Sequence, residues 1–279
     1  MNYTELSISV EPKEQGSDVL TAKLSEIGFE SFVETENGFS AYIKEEQWNE
    51  SEVKKIFSEY SGFFKISHNS KIIEQQNWNQ LWESSFQPID VEGKCYIRAP
   101  FHEAKENYLY DVIIEPKMSF GTGHHHTTQL MIQKLMKLDV SGNSLLDMGC
   151  GTGVLAVIAS FMGADPITAV DIDDWSYENS IENLQKNNIN NVLVHKGNAE
   201  ILAGKLFHTI LANINKNVLL NDIPVYVQSL EKKGNLVLSG FFETDADELT
   251  KKAADYGLKI KEKAVNSQWT MLHFIKHEN

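Results

Sequence analysis

The chain has 279 residues, 42% hydrophobic and 23% charged, which is typical of a folded globular protein and excludes a disordered one. Its sequence contains no apolar run near the ~20 residues that span a bilayer, and its start lacks the features of a signal peptide. The net charge is −14, and Arg98 is the only arginine among 25 basic residues. Nucleic acid is bound through cationic surface, so it is not the expected ligand.

Residues 1–75 are predicted to form a small substrate-recognition domain with the ferredoxin-like order βαββαβ. Asn37-Gly38 is a strong hairpin signal between two of its strands. The segment holds 7 lysines against 14 acidic residues, and therefore half of the net charge. This charge is either an ordinary soluble surface or an attraction to a basic partner. The predicted strands are 3–10, 29–35, 38–43 and 63–73, and the predicted helices are 18–27 and 51–60.

Residues 76–87 are predicted to form a helical linker. Trp78 and Trp82 are four residues apart and share one face of a helix. This face either packs on a domain or anchors one position of a hinge.

Residues 88–279 alternate between strands and helices, which predicts a parallel sheet covered by helices on both faces. Thr127-Thr128 are expected to cap the first helix, and the last two strands are expected to form an antiparallel hairpin. The predicted strands are 94–99, 111–115, 144–148, 167–171, 192–195, 208–213, 235–239, 258–265 and 269–275. The predicted helices are one beginning at 127–128, then 154–162, 175–187, 218–230 and 243–256.

The strongest chemical signal is the turn Asp147-Met-Gly149-Cys-Gly151-Thr-Gly153, between an apolar strand and a helix. A dinucleotide fingerprint, G-x-G-x-x-G, requires a further glycine at 154, where this chain has valine. We expect the three glycines to let a ligand lie against bare backbone. Cys150 in this turn and Cys95 are expected to be reduced thiols of a cytoplasmic protein.

Asp171 ends the next strand, 22 residues after Gly149, where a carboxylate can accept both hydroxyls of a ribose. The alternative is an acidic cap for the following helix. A ribose-bearing ligand that needs no phosphate contacts fits S-adenosylmethionine, whose sulfonium is cationic. Asp147 is expected to order the turn or to reach the ligand's amino group through water. Asn198 follows the third strand, where it either contacts adenine or serves as a turn residue.

Asn213 ends the fourth core strand, and ligands of open α/β sheets bind outside the carboxyl ends of the strands. We therefore expect Asn213 beside the reacting methyl, where its amide positions a nucleophile without becoming charged. Adenine-N6 methyltransferases carry proline after the equivalent residue, and its absence here disfavours a nucleobase substrate.

The segment Glu115-Pro-Lys-Met-Ser-Phe-Gly-Thr-Gly-His-His-His-Thr-Thr128 resembles the D-P-G-x-A-F-G-T-G-x-H-x-T-T signature of the ribosomal protein L11 methyltransferase (PrmA) family. The resemblance extends over nearly the whole chain. Glu115, Lys117, His124 and His126 depart from the family pattern. The fold that this resemblance implies is a Rossmann-like, seven-stranded class I methyltransferase domain behind the ferredoxin-like domain.

By the same resemblance, Thr128, Gly149, Asp171 and Asn213 match cofactor-binding positions. Phe120, Gly121 and Thr122 belong to a loop that covers the cofactor and the entering substrate. Asn213 and backbone carbonyls near Thr122 are expected to steer the amine without a dedicated base. Consecutive histidines cannot converge on one ion, so we expect no metal. The full set of expected cofactor-binding residues is Thr128, Gly149, Asp171, Asn213, Asp147, Gly151, Gly153, Asn198, Phe120 and Gly121.

The resemblance implies methyl transfer from S-adenosylmethionine to lysine ε-amines and the N-terminal α-amine of L11. We expect a cytoplasmic monomer that acts on this basic protein and requires neither nucleic acid nor a membrane. Two alternatives remain: a methyltransferase of another protein, RNA or small-molecule amine, and a non-catalytic module that binds S-adenosylmethionine.

Overall fold

The computed structural model describes residues 2–73, 86–117 and 119–277. Two compact units are present, Met1–Ser85 and Phe86–Asn279. Most of the predicted linker, with Trp78 and Trp82, lies outside the described residues. Residues 86 and 87 have no helical structure.

The first unit is a four-stranded antiparallel sheet in the order β2-β3-β1-β4, with helices packed on one face. Alternate residues of β1, such as Leu6 and Ile8, are buried against Leu20 and Leu24 of the first helix. This is the predicted ferredoxin-like arrangement. Its elements are β1 (Tyr3–Glu11), α1 (Lys13–Glu26), β2 (Ser31–Thr35), β3 (Gly38–Lys44), α2 (Glu50–Tyr60) and β4 (Lys65–Ile73).

Helix α1 begins five residues before the predicted start. Pro12 is the N-cap, in an extended conformation that admits proline before a helical turn. The first turns present few apolar side chains to the core, and only Gly16 is buried before Leu20. Apolar periodicity therefore detects the second half of the helix but misses its beginning.

The second unit contains a seven-stranded sheet in the order β10-β9-β8-β11-β12-β14-β13, parallel except for β14. Helices cover both faces, as predicted. Its strands are β5 (Ile89–Val91), β6 (Cys95–Arg98), β7 (Tyr110–Ile113), β8 (Leu145–Met148), β9 (Ile167–Asp171), β10 (Val192–Lys196), β11 (Phe207–Asn213), β12 (Leu230–Phe242), β13 (Leu258–Asn266) and β14 (Trp269–Lys276). Its helices are α3 (His126–Leu135), α4 (Val154–Phe161), α5 (Asp174–Lys186), α6 (Lys216–Gln228) and α7 (Ala246–Asp255).

Each central strand supplies two hydrophobic cores in alternation. Leu145 packs in the core beneath α3 and α4, whereas the next residue, Leu146, packs in the core beneath α6 and α7. Leu211 and Ala212 divide in the same way. This alternation follows from the two-residue period of a strand. It fixes the sheet between two helical layers, with the carboxyl ends of the strands at one edge.

Predictions for the second unit also need correction. Strands β6 and β7 are shorter than predicted and join an unpredicted strand, β5, in a separate three-stranded sheet. Helix α3 is capped by His125, whose Nδ1 accepts a hydrogen bond from the Thr127 amide at 3.3 Å, so the two threonines lie inside the helix. Helix α7 begins at Ala246, after a short 3-10 turn at Glu243–Asp245.

Candidate active site

A cavity of about 770 Å³ opens at the carboxyl ends of β8, β9, β10, β11 and β12. This is the edge at which open α/β sheets bind ligands. Asp171, Gly197 and Asn198 line one side, and Asn213 and Gly240 line the other. The lining also includes Phe120, His125, Thr127, Gly149, Gly151, Trp175, Val218, Asp222 and Trp269.

The glycine turn is held by the protein's own packing. Gly149 and Gly151 have φ of +71° and +55°, in the left-handed region. A Cβ at Gly149 would lie 2.2 Å from Ile214 Cγ2, and one at Gly151 would lie 2.2 Å from the Phe120 carbonyl oxygen. At Gly153 a Cβ would lie 3.1 Å from Ser180 Cβ. These glycines are therefore required by the packing of neighbouring chain, and Gly149 and Gly151 also line the cavity, so that the contact of their backbone with a ligand stays a prediction.

The loop that contains Phe120 and Gly121 lies directly on this turn. Thr152 donates its backbone N–H to the Phe120 carbonyl at 2.9 Å and its hydroxyl to the Gly121 carbonyl at 2.7 Å. Phe120 itself is 53% exposed and lines the cavity. The sequence signal at residues 120–128 and the glycine turn thus form one physical unit.

Asp171 is buried at the end of β9 and lines the cavity. Its Oδ2 accepts the Gly151 N–H at 2.8 Å, and its Oδ1 accepts the Asp173 N–H at 3.1 Å. Each oxygen retains lone-pair capacity for one more donor. The N-cap of α5 is Asp173, so Asp171 is not the helix cap of the alternative interpretation.

Asp147 lies beneath the turn and is not among the residues that line the cavity. Its Oδ2 accepts the Ala156 N–H at 3.2 Å, in the first turns of α4. Burial raises the pKa of this carboxyl to about 7, and the charge of Asp171 adds to the effect. Of its two predicted roles, this position matches the ordering of the turn.

Asn213 lines the cavity at the end of β11. Its Nδ2 lies 3.5 Å from the Thr128 hydroxyl, while its Oδ1 is buried without a protein partner. A buried acceptor without a partner is costly, so this oxygen is suited to a donor supplied by a ligand. Thr128 is buried behind Asn213, and Thr127 lines the cavity in its place.

Asn198 is exposed at the other end of the cavity. Its Oδ1 accepts the Glu200 N–H at 3.0 Å and caps the 3-10 helix Ala199–Leu202. The structure thus shows the turn role that the sequence allowed, at a position that still borders the cavity.

Thr122 lies on the outer side of the loop, where a second cavity of about 460 Å³ is lined by residues 119–122 and 124–126. The Thr122 hydroxyl is 3.2 Å from His124 Nδ1, and His124 Nε2 is 2.9 Å from the Gln87 carbonyl. The structure therefore separates Thr122 from the main cavity, whose lining includes Ser119 and Phe120 but not Thr122. Both cavities share Ser119, Phe120 and His125.

An aromatic row that sequence reasoning missed borders the main cavity. The His125 ring lies 5.1 Å from the Phe120 ring and 4.6 Å from the Trp269 ring. Trp269 begins β14, more than 140 residues later in the chain, so local sequence gives no signal for the contact. Burial lowers the pKa of His125, which favours the neutral ring.

Two asparagines, Asn183 on α5 and Asn187 at its C-cap, anchor the approach to the loop, a second feature that sequence reasoning missed. Asn183 accepts the Glu115 N–H at 2.8 Å and donates to the Thr152 carbonyl at 2.9 Å. Asn187 pairs with both backbone groups of Ile113. Their four-residue spacing on a helix was the available signal.

Two of the departures from the family pattern form ion pairs on the same helix. Glu115 Oε2 lies 3.0 Å from Lys186 Nζ, and Lys117 pairs with Glu182. The unusual residues therefore add attachments between the loop and α5 rather than removing them.

The cavity carries negative charge without positive charge. Its described lining includes Asp171, Asp173 and Asp222 but neither lysine nor arginine. Arg98 is bound by Asp111 through two hydrogen bonds of 2.8 and 2.9 Å. Nothing on this wall matches the cationic clamps that hold phosphates. Within residues 2–73, 86–117 and 119–277, no group of three His, Cys, Asp or Glu side chains is placed to hold a metal.

The strand order, the acidic residue that ends β9 and the cavity at the strand ends define a class I methyltransferase fold. A methyltransferase from Pyrococcus furiosus shares this fold, with a TM-score of 0.51 and 20% identity over 60% of this chain and 89% of that chain. In the described part of the chain, no helix is both long and apolar enough to cross a membrane.

The chain belongs to the family described as ribosomal protein L11 methyltransferase (PrmA), whose model matches residues 5–277. The ribosomal protein L11 methyltransferase of Phocaeicola vulgatus is 40% identical over 99% of both chains. That of Bacteroides fragilis is 41% identical over 99% of this chain and 100% of its own. The crystal structure of ribosomal protein L11 methylase from Lactobacillus delbrueckii subsp. bulgaricus has a TM-score of 0.64 and 26% identity, and covers 69% of this chain and 100% of its own.

Proposed function

We propose that this protein transfers methyl groups from S-adenosylmethionine to amines of ribosomal protein L11. The observation that carries the proposal is the cavity, which has the Asp171 carboxylate on one side and the unpartnered Asn213 Oδ1 on the other. The family match over residues 5–277 supports L11 as the substrate.

The cavity fits this cofactor in charge and in hydrogen-bonding groups. Asp171 accepts the ribose hydroxyls, because each of its oxygens has capacity beyond its backbone partner. Gly149, Gly151 and Asn198 border the same side, and Phe120 with Gly121 covers the turn. A wall with carboxylates and no described lysine or arginine favours a cationic ligand over a pyrophosphate. When bound, S-adenosylmethionine supplies an electrophilic methyl group on a positively charged sulfur.

The residues of this chain position the nucleophile. Asn213 Oδ1 accepts an N–H of the substrate amine and thereby directs the nitrogen lone pair away from itself. The amine must be neutral to react, whereas an exposed lysine has a pKa near 10.4. A desolvated site beside a cation lowers that value, so water accepts the proton and no side-chain base is required.

The first unit supplies recognition of the basic substrate in this proposal. Its helices expose acidic side chains that make no ion pair with a described lysine, namely Glu14, Asp18, Glu52 and Glu59. In this proposal residues 76–87 connect the recognition unit to the second unit, and the recognition unit presents different amines in turn. The reaction takes place in the cytoplasm, where ribosomal protein is made.

Incubation of the purified protein with methyl-labelled S-adenosylmethionine and unmethylated L11, followed by peptide mapping, tests the proposal. We expect label on lysine ε-amines and on the N-terminal α-amine. Transfer only to RNA, to another protein or to small amines would refute L11 as the substrate. Binding of the cofactor without transfer to any of them would indicate a non-catalytic module.

A further inference from the structure

Asp222 is a buried carboxylate on the wall of the main cavity. It lies in the second turn of α6, is 8% exposed, and lines the cavity with Asn215, Val218 and Gly240. These residues follow β11 and β12, whereas Asp171 follows β9. Because β8 lies between β9 and β11 in the sheet, Asp222 and Asp171 are on opposite sides of the cavity.

The carboxylate of Asp222 is held by two hydrogen bonds and has no cationic partner among the described residues. Its Oδ1 accepts a hydrogen bond from Asn221 Nδ2 at 2.9 Å, and its Oδ2 accepts one from the Tyr226 hydroxyl at 3.3 Å. No described lysine, arginine or histidine pairs with it. Burial raises the pKa of Tyr226, so its hydroxyl remains a donor. Asp222 therefore has two hydrogen-bond donors and no described cationic partner, and it lines the cavity where a positively charged ligand could reach it.

We infer that Asp222 is the binding site for the protonated substrate amine before methyl transfer. This inference rests on the proposed function. The substrate arrives as an ammonium, because a lysine and most of an α-amine are protonated at pH 7. Asp222 lies on the same side of the cavity as Asn213, whose Oδ1 is the unpartnered acceptor. The amine therefore moves from a carboxylate that binds its charged form to an amide that accepts from its neutral form.

Both carboxylate oxygens of Asp222 already accept a hydrogen bond, and we assign it binding of the ammonium rather than removal of its proton, which passes to water. The other ionisable groups on the cavity wall are Asp171 and Asp173, across the cavity, and His125. Burial lowers the pKa of His125, which favours its neutral ring. Lys216, at the start of α6, is paired with Asp245 and Glu248. Among the described residues that line the cavity, Asp222 is therefore the only acidic side chain on the side where Asn213 lies.

The test compares the full-length protein with its Asp222→Asn variant on intact unmethylated L11, at pH 7 and pH 9. Methylation of each amine is followed by peptide mapping, and cofactor affinity by calorimetry. At pH 7 we expect KM for L11 to rise about tenfold, equivalent to about 1.4 kcal/mol, with kcat within about twofold. At pH 9 the α-amine is largely neutral, so the rise in KM caused by Asp222→Asn shrinks to about twofold for this amine. Lysine ε-amines are still protonated at pH 9, so their KM retains the full tenfold rise, about the same as at pH 7.

The matched control is Asp247→Asn, which removes one negative charge from an exposed position on α7 and should leave all values unchanged. Should Asp222→Asn not fold, Asp222→Ser replaces it. Three outcomes for Asp222→Asn would each overturn the inference. They are a fall in kcat with unchanged KM, a rise in KM of equal size for both amine types at pH 9, and weaker cofactor binding with unchanged KM. Absence of L11 methylation by the unmodified protein would instead refute the proposed function.

Discussion

Replacement of Asp147 by asparagine should change how stability depends on pH. The folded-state pKa of Asp147 is raised to about 7 from an ordinary 3.8, chiefly by burial. Between these values the folded protein holds a proton that the unfolded chain releases, so the contribution of Asp147 to stability falls as pH rises. The contribution is complete below pH 4 and is lost by pH 8. Asparagine stays neutral and can still accept the Ala156 N–H.

The magnitude follows from the two pKa values. At pH 5 the proton held by Asp147 contributes about 2.7 kcal/mol to the free energy of unfolding, and at pH 8 it contributes about 0.1 kcal/mol. The difference in free energy of unfolding between Asp147→Asn and the unmodified protein should therefore shift by about 2.6 kcal/mol in favour of the variant between pH 5 and pH 8. Other titrating groups, including buried His273, are common to both proteins and cancel.

Urea-dependent hydrogen exchange, read by mass spectrometry on peptides from β8 and α4, measures this difference within the second unit alone. Asp139→Asn is the control, because Asp139 is an exposed acid in the same unit and should give a constant difference. An Asp147→Asn difference that is the same at pH 5 and pH 8 would show that the buried carboxyl is not protonated as argued.

Three further substitutions test the site and its scaffold. Asp171→Asn should weaken S-adenosylmethionine binding at least about tenfold by calorimetry, since one ribose acceptor becomes a donor; unchanged affinity would remove Asp171 from the site. Gly151→Ala should lower the free energy of unfolding by about 3 kcal/mol in chemical unfolding, because its φ is positive and the new Cβ would clash with the Phe120 carbonyl. The control Gly142→Ala, at φ +69° with open space around it, should lower it by about 1 kcal/mol. Equal losses for the two variants would exclude the clash with Phe120. Arg98→Lys loses a bidentate pair and should cost about 2 kcal/mol by the same measurement; a loss under about 0.5 kcal/mol would contradict this.

The sequence predicted the parts of the fold that depend on local periodicity and on turn residues. The repeated strand and helix pattern after residue 88 led to the sheet with helices on both faces, and Asn37-Gly38 marked a hairpin that the structure contains. The helix start at Lys13 was missed because the first turns of α1 bury only Gly16 and so show no apolar repeat. Strand β5 was missed because three residues are too few to show alternation.

The candidate site divides along similar lines. Asp171 and Asn213 could be found because each ends a strand whose edge position follows from topology. Trp269 and Asp222 could not, because their place on the cavity wall depends on how β14 and α6 pack far from the motif. The reason for glycine at 151 was also hidden, since the Phe120 carbonyl that excludes a side chain comes from a loop 31 positions earlier.

The asparagine contacts of α5 have a consequence for the robustness of the loop. Amide-to-backbone hydrogen bonds involve no net charge, so added salt leaves Asn183 holding Glu115 and Thr152 together. The neighbouring pairs Glu115–Lys186 and Lys117–Glu182 lie nearer the solvent and weaken as counter-ions accumulate. The segment that leads into the loop is therefore attached to α5 by two sets of contacts. The buried amide hydrogen bonds are insensitive to ionic strength, whereas the more exposed ion pairs weaken as ionic strength rises.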